Sequence, residues 1–252
     1  MRPLQSKGLR AFLLLAATAV LSVATAQADE AATLAGLAPG LSQEAIREAL
    51  AAVGCAKARG IAPEADRLAI ADYTRPSQQR RLWIFDLQQN RVLFQEFVAH
   101  GKGSGFDVPT EFSNHNDSHQ SSLGLFVTDE TYQGSNGYSL KLVGLSGQLN
   151  DLALARRIVM HGAAYVAPDR ARQIGRLGRS FGCPAVRPQV ARPIIDALKE
   201  GQFLYAYGPG SAAAEHCVSP AQAEGTLRPF NNAAGKLASR TRCGSDELWR
   251  TR

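Results

Sequence analysis

The chain lacks a long hydrophobic run. Its apolar segment from Ala11 to Val23 falls short of the roughly 20 residues a membrane-spanning helix needs. It also lacks a dense stripe of Lys and Arg, which argues against nucleic acid as a partner. It has no internal repeats. Cysteine is scarce, with only Cys55, Cys183, Cys217 and Cys243 in 252 residues. None of them lies where the first apolar segment ends, so lipid attachment there is not expected.

What the N-terminus does contain is ordered. Arg2, Lys7 and Arg10 precede the apolar segment, and small residues follow as Ala24-Thr25-Ala26 and Ala26-Gln27-Ala28. A basic start, a short apolar stretch and a small-residue exit describe a secretory signal peptide. The reading is therefore a leader over residues 1–28 and an exported mature chain beginning near Gln27 or Asp29. Removing Arg2, Lys7 and Arg10 lowers the formal charge from +6 to +3. That mild excess suits anionic surroundings without naming a partner. Export permits disulfides. If Cys183 stays a thiol, three cysteines allow one bridge, with Cys217 and Cys243 the expected pair because they would staple a weakly patterned tail.

About 220 residues can bury one sizeable core. Ser42 to Val53 reads as a helix, with Ser42 as cap, Ile46, Ala49, Leu50 and Val53 on one face, and Gly54 as its end. Leu68–Tyr73, Arg81–Leu87 and Val92–Ala99 read as strands of an antiparallel meander. Gly101 to Ser122 is a long Gly/Ser/Asn/His-rich stretch, of a kind that is functional or disordered inside a compact domain. Leu123–Thr128 and Tyr138–Val143 are further strands, and Ile158-Val159-Met160 runs straight into His161-Gly162. Gln189 to Glu200 is helical, and Gln202–Tyr207 closes the pattern as a strand. The fold class is α+β, mostly β: a helical lead-in over 29–67, one β-rich domain over 68–210, and a loosely ordered tail over 211–252.

The chemistry is concentrated between Met160 and Arg187. A cysteine nucleophile needs a base within reach and a nearby cation that favours the thiolate. His161 leaves a buried strand, and 22 residues later comes Ser180-Phe181-Gly182-Cys183-Pro184. Gly182 allows close backbone approach and amides that face an oxyanion, while Arg176 and Arg179 supply positive charge. A cysteine in an exported protein is more often structural or bridged, but the Ser-x-Gly-Cys setting among glycine and arginine favours a nucleophile. A papain-like protease has its cysteine before its histidine and is excluded by order; a Ser-His-Asp hydrolase is set aside as well. His115 and His119 are spaced for a metal on a helix, but their segment has no helical pattern and no third ligand is evident. No metal and no cofactor are expected.

His161-Gly162 followed by Ser180-Phe181-Gly182-Cys183 resembles the signature of the L,D-transpeptidase catalytic domain (YkuD-like) superfamily, in its larger-insert branch. Arg81–Leu87, Val98-Ala99-His100-Gly101, Glu111-Phe112-Ser113-Asn114, Ser118 to Phe126, Gly137 to Gly144 and Gly175 to Ala185 match as well. The resemblance spans roughly Leu68 to Gly208. It implies a β-rich domain that performs acyl transfer on peptidoglycan stem peptides in the periplasm or cell-wall space, as a monomer. Cys183 would form the thioester, His161 would act as base and then acid, and the Gly162 carbonyl would orient it. Amides around Gly182 and Cys183 would form the oxyanion hole, and Ser180 would brace the loop. Arg176, Arg179, Tyr165, His119 and Ser122 are the residues expected to face the substrate. Phe181 departs from the histidine of the better-known branch, and Ala185 departs from its Arg or Asn, with Arg187 the nearest arginine. Transpeptidase, L,D-carboxypeptidase or endopeptidase, and a non-catalytic wall-binding protein of the same fold all remain readings of the sequence.

Overall fold

The computed structural model describes residues 28–211. The leader, the cleavage site, Cys217, Cys243 and nearly all of the tail lie outside them. Residues 28–37 are helical, and α1 follows over Gln43–Ala58, with the Ser42 hydroxyl accepting from the Ala45 amide at 3.3 Å. The helix continues past Gly54. An interior glycine costs roughly 1 kcal/mol against alanine, but Val53 and Ala56 extend the buried stripe of Ala45, Ile46, Ala49 and Leu50, and that burial outweighs it. Lys57 closes the end by donating to the Ala65 carbonyl at 2.6 Å. Cys55, on this helix, is disulfide-bonded, whereas Cys183 is not in a disulfide. The expected Cys217–Cys243 pair lies outside the described residues.

Eight strands follow: β1 Arg67–Asp72, β2 Leu82–Asp86, β3 Arg91–Glu96, β4 Gly124–Gly134, β5 Gly137–Gly144, β6 Val159–Gly162, β7 Ala185–Val186 and β8 Phe203–Tyr207. They form one sheet in the order β3-β2-β1-β8-β4-β5-β6-β7. The expected antiparallel meander is β1-β2-β3. Two parallel pairings, β1 with β8 and β6 with β7, were not anticipated. Chain distal to β3 returns to the far edge, where the Ala99 amide donates to the Ala185 carbonyl at 2.8 Å. The sheet thus curls into a near-barrel.

Both faces of the sheet are covered, which is why β2 and most of β1 are buried throughout. Strand alternation sends Leu68, Ile70, Phe203 and Tyr205 toward α1. The intervening Ala69, Ala71, Leu204 and Ala206 face a second cluster that holds Ile194, Ile195 and Leu198 of helix α3, Pro188–Leu198. The short α2, Pro168–Ile174, was missed by the sequence pattern because only Ala171 of its seven residues is buried. Among the described residues no helix is long and apolar enough to cross a membrane.

Candidate active site

β6 ends on His161-Gly162, and β7 begins two residues after Cys183. Parallel pairing sets His161 opposite Ala185 and Gly162 opposite Val186, so the histidine and the cysteine come from neighbouring segments of the chain. Cys183 Sγ accepts from the Val159 amide at 3.5 Å, two residues before His161 on the same strand. On its other side the thiol donates to the Arg157 carbonyl at 3.7 Å. Arg157 has φ +58°, a left-handed conformation that aims this carbonyl. Both reacting groups are buried, Cys183 with 1% and His161 with 4% exposure.

His161 Nδ1 lies 3.0 Å from the Gly162 carbonyl. A carbonyl only accepts, so Nδ1 carries the proton and Nε2 keeps its lone pair for a base. His100 adopts the opposite tautomer. Its Nδ1 is 2.7 Å from Arg81 Nη2, a group that only donates, and burial with the Arg81 charge pushes its pKa down to about 3. His100 is therefore a neutral structural histidine, fully buried.

The turn before the thiol is pinned by side chains. Ser180 Oγ donates to the Cys183 carbonyl at 2.6 Å and accepts from the Gly182 amide at 3.1 Å. This is the bracing expected of Ser180, but it directs the Gly182 amide into the loop. The Gly182 amide, expected in the oxyanion hole, is thus bonded to Ser180 instead. Gly178-Arg179-Ser180-Phe181-Gly182 also spells the Gly-x-Ser-x-Gly of a serine-hydrolase elbow. Ser180 is not a nucleophile: it bridges to Gly101 rather than sitting between strand and helix, and both its bonds serve the loop. Gly182 has φ +120°, and a Cβ there would lie 2.8 Å from the Gln120 carbonyl; only glycine fits.

The cation beside this turn is Arg156, which the sequence reading missed. Its guanidinium donates to the carbonyls of Ser113 at 2.7 Å and Gln120 at 2.8 Å, and also reaches Ser118 and Ser122. Burial lowers its pKa and the Cys183 charge raises it, so the two groups feel each other. Arg179 instead donates to the Lys102 and Gly105 carbonyls and lies over Phe106. Arg176 donates to Leu177. Arg179 thereby braces the loop, whereas Arg176 reaches only its neighbour's carbonyl. Arg187 forms a two-pronged ion pair with Glu96.

Ser122 donates to the Ser113 carbonyl at 3.0 Å and so belongs to the Arg156 cluster. His119 stacks on Phe181 with centroids 4.4 Å apart, and Lys102 Nζ sits 4.1 Å from the same ring. The Phe181 substitution thus builds a stacked rim beside the thiol. Tyr165 packs on Ala163, Val166 and Leu177 and against Gly178. Among the described residues no group of three or more His, Cys, Asp or Glu could hold a metal ion.

A family model described as the L,D-transpeptidase catalytic domain matches residues 37–207. Among curated proteins there is no significant match. Similar solved structures include an L,D-transpeptidase from Mycobacterium smegmatis, at 13% identity and TM-score 0.36, covering 57% of this chain and 59% of that one. Mycobacterium tuberculosis L,D-transpeptidase 1 aligns at 15% identity and TM-score 0.33, covering 57% and 62%. An L,D-transpeptidase from Stackebrandtia nassauensis aligns at 14% identity and TM-score 0.34, covering 73% and 93%. The chain thus spans about three fifths of the length of the mycobacterial structures it matches. With the family match covering α1 and all eight strands, this chain belongs to the L,D-transpeptidase catalytic domain family.

Proposed function

We propose that this protein is a cysteine-dependent acyltransferase of peptidoglycan stem peptides, exported to the periplasm or cell-wall space and acting as a monomer. The observation that carries the reading is a Cys183 thiol outside any disulfide beside the strand that bears His161, whose Nδ1 is held by the Gly162 carbonyl.

His161 Nε2 takes the thiol proton, and the sulfur attacks the carbonyl that joins the third, diamino acid residue of a stem to its terminal D-alanine. The tetrahedral oxyanion is stabilised by the Cys183 amide. Collapse breaks the peptide bond, and the protonated His161 gives its proton to the departing D-alanine amine. The thioester then passes to the side-chain amine of a neighbouring stem, which makes a 3–3 cross-link and regenerates the thiol. Arg156 favours the thiolate throughout. Arg179 serves this scheme by shaping the loop, and His119 and Phe181 line its rim.

Incubation with tetrapeptide muropeptides, read by mass spectrometry, tests the reading. A cross-linked dimer supports the transferase, and a shortened stem or cleaved cross-link assigns an L,D-carboxypeptidase or endopeptidase with the same acyl-enzyme. Identical inert behaviour of the parent and Cys183→Ala would leave a non-catalytic wall-binding protein.

A further inference from the structure

We propose that Ser121 is a positioning residue, whose hydroxyl fixes the Gly182 carbonyl and thereby aims the Cys183 amide at the developing oxyanion. The inference rests on the functional reading above and deepens it. The Gly182 carbonyl and the Cys183 N–H belong to one peptide unit, and in a planar trans peptide they point in opposite directions. Whatever holds the carbonyl therefore sets the direction of the N–H.

Ser121 Oγ donates to the Gly182 carbonyl at 3.2 Å, although the two residues are 61 positions apart. The same oxygen accepts from the Gly101 amide at 3.0 Å. Ser121 is itself held at the backbone, where its amide donates to Ser104 Oγ at 2.9 Å. Ser121 is 1% exposed. A hydroxyl offers one donor and two lone pairs, and these two contacts fit that inventory.

Behind Ser121 stands a rigid wall. Tyr73 meets His100 edge-on, with centroids 6.4 Å apart, and carries the Arg81 guanidinium 5.1 Å above its ring. Arg81 is fully buried and donates to the carbonyls of Val98 and Arg75 and to His100 Nδ1. Burying a guanidinium is expensive, and here it anchors the segment on which Ser121 rests. The Gln120 carbonyl closes the space where a side chain at position 182 would go, so the peptide has little room to rotate. Ser180 holds the two flanking groups of the turn, and Ser121 holds the one that decides the amide's aim.

Two reactions of the same thiol separate this role from a structural one. Thioester formation with a tetrapeptide muropeptide passes through an oxyanion, whereas alkylation by iodoacetamide does not. Ser121→Ala is expected to slow single-turnover thioester formation by roughly ten- to a hundredfold, less than the roughly 10²–10³ lost when an oxyanion donor is removed outright, and to change alkylation by less than about threefold. Ser121→Thr, which keeps the hydroxyl, should recover most of the rate. Parent-like thioester formation in Ser121→Ala, or equal losses in both reactions, overturns the proposal. A parent that is alkylated yet never acylated overturns the functional reading itself, and this proposal with it.

Discussion

Two regions of this molecule are equally buried and are held by different forces. Around α1 the contacts are apolar, from Leu34, Ile46 and Leu50 to Trp83, Phe85 and Phe203, with one polar knot in which Tyr205 and Ser211 both donate to Glu48. Around the Gly182–Cys183 turn the work is done by Ser121, Ser180 and Arg156, each ending on a backbone group. Apolar burial is non-directional, whereas a hydrogen bond weakens steeply when misaligned. The first region therefore sets how stable the fold is, and the second sets where a few atoms point.

The sharpest way to break this division is at the sulfur. Cys183→Ala should abolish thioester formation, a loss above about 10⁴-fold, with the melting temperature of the parent. A large drop in melting temperature would make the thiol structural. On the other side of the comparison, Ile46→Ala should cost about 2–5 kcal/mol in urea unfolding, while the folded fraction alkylates at the parental rate.

Acid should discriminate as well. Folded His100 has a pKa near 3 against about 6.5 when unfolded. Below 6.5 the unfolded chain binds a proton that the native chain refuses, so stability falls as the pH drops. Between pH 6.5 and 5 this amounts to about 2 kcal/mol. It should be visible as a difference in urea midpoint that His100→Gln removes. An unchanged slope in that variant would contradict the neutral, buried imidazole.

Smaller effects sharpen the picture at the site. Arg156→Ala should slow iodoacetamide alkylation at pH 7 about three- to tenfold, with the alkylation curve moved to higher pH. Arg176→Ala, whose guanidinium meets only the Leu177 carbonyl among the bonds described, should change both rate and stability by no more than about 0.5 kcal/mol. The reverse ranking would restore Arg176 as the activating cation.

Much of this was legible in the residues. Strands β1 to β6 and β8 were found because short apolar-rich runs between turn signals have few alternatives. His161 and Cys183 stood out through their glycine-rich neighbours. What failed, failed for local reasons. Gly54 looked like a helix end because the packing of Ala56 that carries α1 past it depends on other segments. Arg176 and Arg179 looked like the activating cations because they are near Cys183 along the chain, yet their side chains turn to backbone carbonyls. Arg156, 27 positions away, carried no pattern of its own.

By itself, then, the order of residues determined the chemical groups available and the periodicity of strands and helices. Only the tertiary structure decided which arginine lies beside the thiol, which nitrogen of each histidine holds its proton, and that the sheet closes through Ala99 and Ala185. Arg156 with Gln120, His100 with Arg81 and Ala99 with Ala185 are bonds between groups far apart in the chain, and only His161 finds its partner next door, at Gly162. Periodicity records which face of an element is buried; it does not record which distant carbonyl that face will meet.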